Sequence, residues 1–162
     1  MNDHLLFVYG FNLRHAHHLV DDLTPEQCVA QPGSLVNHPA WTIGHIALTS
    51  DVVMLELGEP QAFPSAWMER FLPGVPITGE IADYPPMSEL MRELEKQHAR
   101  VASRMGNASP EELAQPIQME MIRRRFSQVG QFATYAMTAH EGVHLGQISD
   151  LRRSLGLVST DL

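Results

Sequence analysis

Histidine is the side chain to follow in this sequence. Nine occur in 162 residues, against a single lysine, Lys96. Histidine is the commonest metal ligand and titrates closest to neutral pH, so the place of each one decides what chemistry is open. His140 and His144 stand four apart within a stretch of helical apolar period. That spacing stacks two imidazoles on one side of a helix, close enough to share a divalent ion. Among nine histidines a lone pair at this spacing is a weak motif. Its weight comes from its place on an apolar stripe, where an unpaired imidazole has to be desolvated. His45 lies mid-way along a second strongly apolar stretch, again on the buried stripe. Facing helices of a bundle can build a core metal site from such residues. Three neutral imidazoles leave a tetrahedral ion an open position, the mark of a catalytic site. Imidazole-only ligation suits zinc or nickel better than magnesium or calcium, and such an ion brings a bound water toward a pKa of ~7.

For any one of the three, a hydrogen-bonded packing histidine is an equally good reading; all three packing independently on buried faces is the weaker explanation. Gln147, one turn beyond His144, is the candidate catalytic residue, placed to orient water or substrate, with a polar residue at a cavity rim as the alternative. Glu141 and Asp51 could be carboxylates that steady the ligands, but helical phase does not place them, and solvated carboxylates are expected. His15, His17 and His18 cannot all face one way, His38 reads as a helix-start residue, His98 as a surface residue and His4 as a terminal one. Met54, Met91, Met121 and Met137 are expected to fill gaps in the core. Cys28 has no adjacent basic group to activate it, and no serine elbow, P-loop or dinucleotide fingerprint is present.

Four long helical segments must position these residues. The first runs from about His4 to Leu23, with Leu5, Val8, Tyr9, Asn12, Ala16 and Leu19 on one stripe. Thr24-Pro25-Glu26-Gln27 restarts a short helix through a capping box. The second long helix begins at Pro39, capped by Asn37 or His38, and ends at Gly58. From Gly58 to Pro86 the chain turns irregular and carries six of its eleven prolines. Ser65 to Leu72 is the one piece there able to form a short helix. Such a long connection is a binding loop or a spacer between helices that are not neighbours, and Trp67 could shape an entrance. The third helix runs from Ser88 to Met105, and Ser109 to Glu112 repeats the capping box. Residues 116 to 126 alternate like a short strand with no partner. The fourth helix runs from Ser127 to Leu155, with Val129, Phe132, Ala136, His140, Val143, Gln147 and Leu151 on one face. The sum is an all-α four-helix bundle with a long crossover loop and short extra helices.

Length and charge narrow the classes. One domain over residues 1–162 is expected, large enough to bury a core without staples. The single cysteine allows no disulfide within the chain and suits a reducing cytosol, so a cytoplasmic location is expected. The start carries no basic signal-peptide region, and no apolar run is long enough to span a membrane. Eleven basic against nineteen acidic residues give a net charge of −8, a field that repels a phosphate polyanion, so no nucleic-acid partner is expected. The run Arg123-Arg124-Arg125 could meet an anionic group such as a carboxylate; a solvated charge run is the default.

Asn37-His38-Pro39-Ala40-Trp41-Thr42-Ile43-Gly44-His45 resembles the second-helix segment of the DinB-like (YfiT-like) superfamily of metal-dependent four-helix-bundle enzymes. His140-Glu141-Gly142-Val143-His144-Leu145-Gly146-Gln147, followed by Leu151-Arg152-Arg153, is similar to its C-terminal signature. Trp67 to Phe71 with Gly74 and Tyr84-Pro85 is similar to one branch, and the resemblance covers nearly the whole chain. It implies an up-down-down-up bundle, commonly a homodimer, with a divalent ion on His45, His140 and His144. It also implies a small-molecule substrate and, in the characterised relatives, a low-molecular-weight thiol or a maleylpyruvate-type isomerisation. Several relatives carry a histidine immediately before the last ligand and an arginine after it, where this chain has Val143 and Leu145. The leading expectation is a metal-dependent transferase in which the ion activates a thiol or water toward a small electrophile. A metal-dependent hydrolase, or a non-catalytic metal- or ligand-binding dimer, is the alternative.

Overall fold

Local capping chemistry sets several of the helix starts. The computed structural model of the protein describes residues 3–157, so the outer ends of the expected domain fall outside the described residues. Helix α1 (Asp3–Val20) stops three residues before the expected Leu23. α2 (Pro25–Cys28) starts on a complete capping box between Thr24 and Gln27. α3 (Pro39–Glu56) is capped by His38, whose Nδ1 accepts the Trp41 N–H at 3.1 Å. Gly58, at φ 80°, ends its last turn. In the proline-rich connection α4 (Ser65–Met68) runs into a 3₁₀ turn, Glu69–Phe71, and a second 3₁₀ turn spans Ile81–Asp83. α5 (Met87–Asn107) is followed by α6 (Pro110–Leu113), started by the Ser109–Glu112 capping box, and by α7 (Glu120–Arg123).

The expected strand at 116–126 does not form. An isolated bridge joins Pro116 to Gln128, and the backbone N–H groups of Gln118 and Met119 donate to the Glu56 carboxylate at 2.7 and 2.8 Å. A buried carboxylate thus takes the place of a partner strand, and Ile117 is free to enter the core. Met121 lies outside it, 68% exposed, contrary to expectation, whereas Met54, Met91 and Met137 are core residues.

The last long helix is not regular. α8 (Val129–Tyr135) passes into a π turn, Ala136–His140, and continues as α9 (Glu141–Ser154). This moves the buried face. Val143 is 63% exposed, while Ala136, Met137, Glu141, Leu145, Ile148, Leu151 and Arg152 are buried. Residues buried at every fourth position would drift around a regular helix by about 40° per step, because a turn holds about 3.6 residues. The wider π turn absorbs that drift.

α3 packs against α5, α5 against α1, α1 against α9, and α9 back onto α3. Between them lie two apolar clusters. One gathers Ala16 and Leu19, Ile43 to Leu48, Leu90 and Leu94, and Leu145 and Ile148 around Phe71. The other gathers Tyr9, Val53 and Met54, Val101 and Met105, and Phe132, Ala133 and Met137. The stretch between them on each long helix carries buried polar groups: Asn12; Ser50 and Asp51; Gln97 and His98; Glu141. His45 lies within the α3 stretch of the first cluster. Every regular element among the described residues is helical, and none of these helices is long and apolar enough to cross a membrane.

The irregular connection is pinned to α3 at one close approach. A Cβ built on Gly44 would meet the fully buried Phe71 ring at 2.2 Å, so only glycine lets the ring lie against the helix. Gly44→Ala is expected to cost about 1–3 kcal/mol, as overpacking of a core does. Urea denaturation measures it, and an unchanged midpoint would mean that the ring moves aside freely.

Candidate metal centre

His45 is held from both sides. Its Nδ1–H donates to the Phe71 carbonyl at 2.9 Å, and the Trp41 indole stacks on its ring at 4.5 Å between centroids. The indole is itself fixed by donating Nε1–H to the Arg70 carbonyl at 3.1 Å. A carbonyl can only accept, so the proton of His45 sits on Nδ1 and its Nε2 is a bare lone pair. His144 is set in the same way. Its Nδ1–H donates to Gln147 Oε1 at 3.0 Å, and Asn37 Nδ2 donates to the same oxygen at 3.0 Å. His140 Nε2 stands 3.2 Å from His45 Nε2, while its buried Nδ1 has no hydrogen-bond partner.

His45, His140 and His144 each offer one ring nitrogen, and the three nitrogens lie within 4.8 Å of one another. Two ligands bonded at about 2.1 Å and at tetrahedral angles stand about 3.4 Å apart, close to the 3.2 Å between the Nε2 atoms of His45 and His140. The donor set fits a divalent ion in protonation as well. Burial pushes His45 down to about 4, against the pull of the Phe71 carbonyl and helped by the charge of His144. Burial, then the charges of His144 and His45, pushes His140 down to about 3. Burial also lowers His144, opposed by its bond to Gln147. All three are neutral near pH 7, the form that binds metal.

A sequence model of the DinB superfamily matches residues 11–148. The chain belongs to the DinB superfamily. No curated protein matches it. In this DinB-superfamily chain the two histidine segments, far apart in sequence, meet as the motifs imply.

Other expected residues lie elsewhere. Trp67 packs on Phe63 at 6.2 Å, and the tryptophan beside the histidines is Trp41. Arg124 pairs with Glu120 at the surface, as a solvated charge run should. Burial pushes the Cys28 thiol up to about 11, which leaves it inert. Three expectations are overturned. His98 is not a surface residue but 4% exposed, and Glu141 and Asp51 are not solvated but 2% and 0% exposed. Asp51 is held by Arg100 at 2.6 Å and by the Ala62 N–H at 3.0 Å. Glu141 is held by His98 at 2.8 Å and by Asn12 at 3.1 Å. Asn37 is the residue the sequence reading passed over: considered as a helix cap, it instead fixes Gln147, while His38 caps the helix.

Neutral burial of histidines makes the metal-free protein acid-sensitive. Burial also lowers His38 to about 4, so below the ordinary value of 6.5 the unfolded chain binds protons that the folded one refuses. Stability from this source is whole above pH 6.5 and is lost as pH falls toward 4 and below. Melting of the chelator-treated protein followed by circular dichroism is expected to show Tm falling over that window. A flat Tm would mean the imidazoles take up protons in the folded state.

Proposed function

We propose that this protein is a metal-dependent enzyme whose divalent ion, zinc or nickel, is held by His45, His140 and His144. One observation carries the reading: three neutral imidazole nitrogens within 4.8 Å of one another, with the outer nitrogens of two of them already committed to the Phe71 carbonyl and Gln147. When bound there, a divalent ion lowers the pKa of a thiol or water that it coordinates. The chain's own residues do the rest. Phe71 and Gln147 hold two rings in the tautomer that turns Nε2 inward. Asn37 fixes Gln147, so Gln147 acts through His144 as a positioning residue. Trp41 stacks on one face of the His45 ring and covers it. His140 and His144 are only half-buried, which leaves a side open for a small molecule.

The reaction class that fits this reading is transfer of a low-molecular-weight thiol to a small electrophile. A sulfur–carbon bond forms, the bond to the leaving group breaks, and the thiol proton passes to solvent. Hydrolysis is the second reading: Val143 and Leu145 stand where several relatives carry histidine and arginine, which weakens the inference to a particular thiol. The fold belongs to the same proposal. The two apolar clusters occur in opposite order along α1 and the continuous α8–α9 helix on one hand and α3 and α5 on the other, which supports an up-down-down-up four-helix bundle. A single domain, acting as a cytoplasmic homodimer, completes the reading.

Metal analysis of the purified protein is expected to find one zinc or nickel ion per chain, lost to a chelator and absent from His144→Ala. Quenching of Trp41 fluorescence on adding metal should report the same event. Stoichiometric metal retained by His144→Ala would overturn the ligand set. A panel of thiols, each offered with an aryl chloride, then separates the two reactions. Metal-dependent loss of thiol supports the transferase, and ester or amide cleavage indifferent to thiol supports the hydrolase.

A further inference from the structure

The core holds a second buried polar cluster that the proposed chemistry does not use. Asn12 of α1 donates Nδ2 to the Met137 carbonyl at 3.2 Å and to Glu141 Oε2 at 3.1 Å. Glu141 Oε1 accepts from His98 Nε2 of α5 at 2.8 Å. The His98 ring stacks on Tyr9 with centroids 3.7 Å apart, and the Tyr9 hydroxyl shares a hydrogen bond with Ser50 of α3 at 3.0 Å. All four long helices meet in this one cluster.

Its place along the last helix gives it meaning. Met137 lies inside the π turn, and Glu141 is the first residue after it, next to His140. A π turn is rare and makes poorer backbone hydrogen bonds than an α-helix, so it persists where its surroundings hold it. Here one amide group ties a carbonyl within the turn to the carboxylate of the residue that follows it. Were residues 136–140 to revert to α-helix, one side of the turn would rotate against the other by about 100° and shift by about 1.5 Å. Phe132 and Ala133 on one side, and Glu141, Leu145 and Ile148 on the other, could not then all face inward, and the ring of His140, between them, would turn with one side or the other.

We infer that Asn12, backed by the His98–Glu141 pair, is the positioning group for His140: by holding the Met137 carbonyl and the Glu141 carboxylate it locks the π turn that aims the His140 ring at His45. The consequence for metal rests on the three-histidine centre proposed above; the geometric claim does not. Two readouts keep these apart. Zinc affinity is measured by competition with a chromophoric chelator, and the ring nitrogens of His45 and His140 are followed by NMR in the metal-free protein. Asn12→Ala is expected to weaken zinc binding by about 10- to 100-fold and to shift the His140 ring signals. Asp51→Asn, which disturbs the buried Arg100 pair instead, should lower Tm while leaving both readouts unmoved. If Asn12→Ala does not fold, Asn12→Leu, which keeps the volume and removes the donor, is read in the same way. Parental affinity with unmoved His140 signals overturns the inference, and so does an equal loss in Asp51→Asn. A parent protein that takes up no zinc would sink the metal reading, while the NMR arm would still decide the role of Asn12.

Discussion

Two imidazole lone pairs do not face each other across 3.2 Å unless a proton or a cation lies between them. The Phe71 carbonyl removes the freedom of His45 to turn its proton inward, so the contact with His140 is left to one of those two. A proton on His140 Nε2 would satisfy the pair but leave the buried Nδ1 of His140 as an acceptor with nothing to accept. A cation leaves the same Nδ1 with a proton and nothing to donate it to, but it takes every lone pair turned toward it, that of His144 included. Burial makes the same choice from another direction, because desolvation opposes a charged imidazole at each of the three positions. Much of the surrounding structure serves to keep these rings neutral, close and aimed.

The proline-rich connection acts in this way. It reads as a spacer or a binding loop, and it contributes chiefly through its backbone. Consecutive carbonyls, of Arg70 and Phe71, fix Trp41 and His45 on α3, and Gly44 opens the slot that lets Phe71 come so near. Farther along, the Thr78 carbonyl accepts from His38 Nε2 at 3.0 Å, tying the connection to the cap of the same helix. Carbonyl groups are invisible to a reading based on side-chain types, so the partner of His45 was not legible although the inward place of His45 was.

What was legible is local. Thr24, Ser109 and the proline after His38 mark helix starts through chemistry contained within four residues. The apolar periods then placed His45, His140 and His144 on inner faces. What was not legible depends on partners distant in sequence. A carboxylate or histidine at a helical position reads as solvated because its desolvation cost is certain and its compensation is not. Asp51 is compensated by Arg100, Glu56 by a backbone segment sixty residues on, and Glu141 by Asn12 and His98. The exposed Val143 failed for another reason, the assumption of a regular helix. A signal was present: Ala133, Met137, Glu141 and Leu145 recur strictly at four-residue steps, and a regular α-helix cannot keep such a run on one face for long.

These buried polar groups also bear on why the helices hold this arrangement. Two apolar clusters of similar composition would tolerate a helix slid by a turn or turned end for end, because packing of leucine, isoleucine and methionine is permissive. A polar layer between them is not. Sliding α5 by one turn would carry His98 away from Glu141 and Tyr9, leaving the imidazole buried without those contacts and the carboxylate with Asn12 alone, a penalty of several kcal/mol. The geometry that brings three histidines together is therefore guarded by groups that touch no ion. The three-histidine group and the His98–Glu141–Asn12 cluster share the last helix at adjacent residues, His140 and Glu141. A change of register that spoiled one would spoil the other, and stability and ligand geometry are to that extent the same property of this chain.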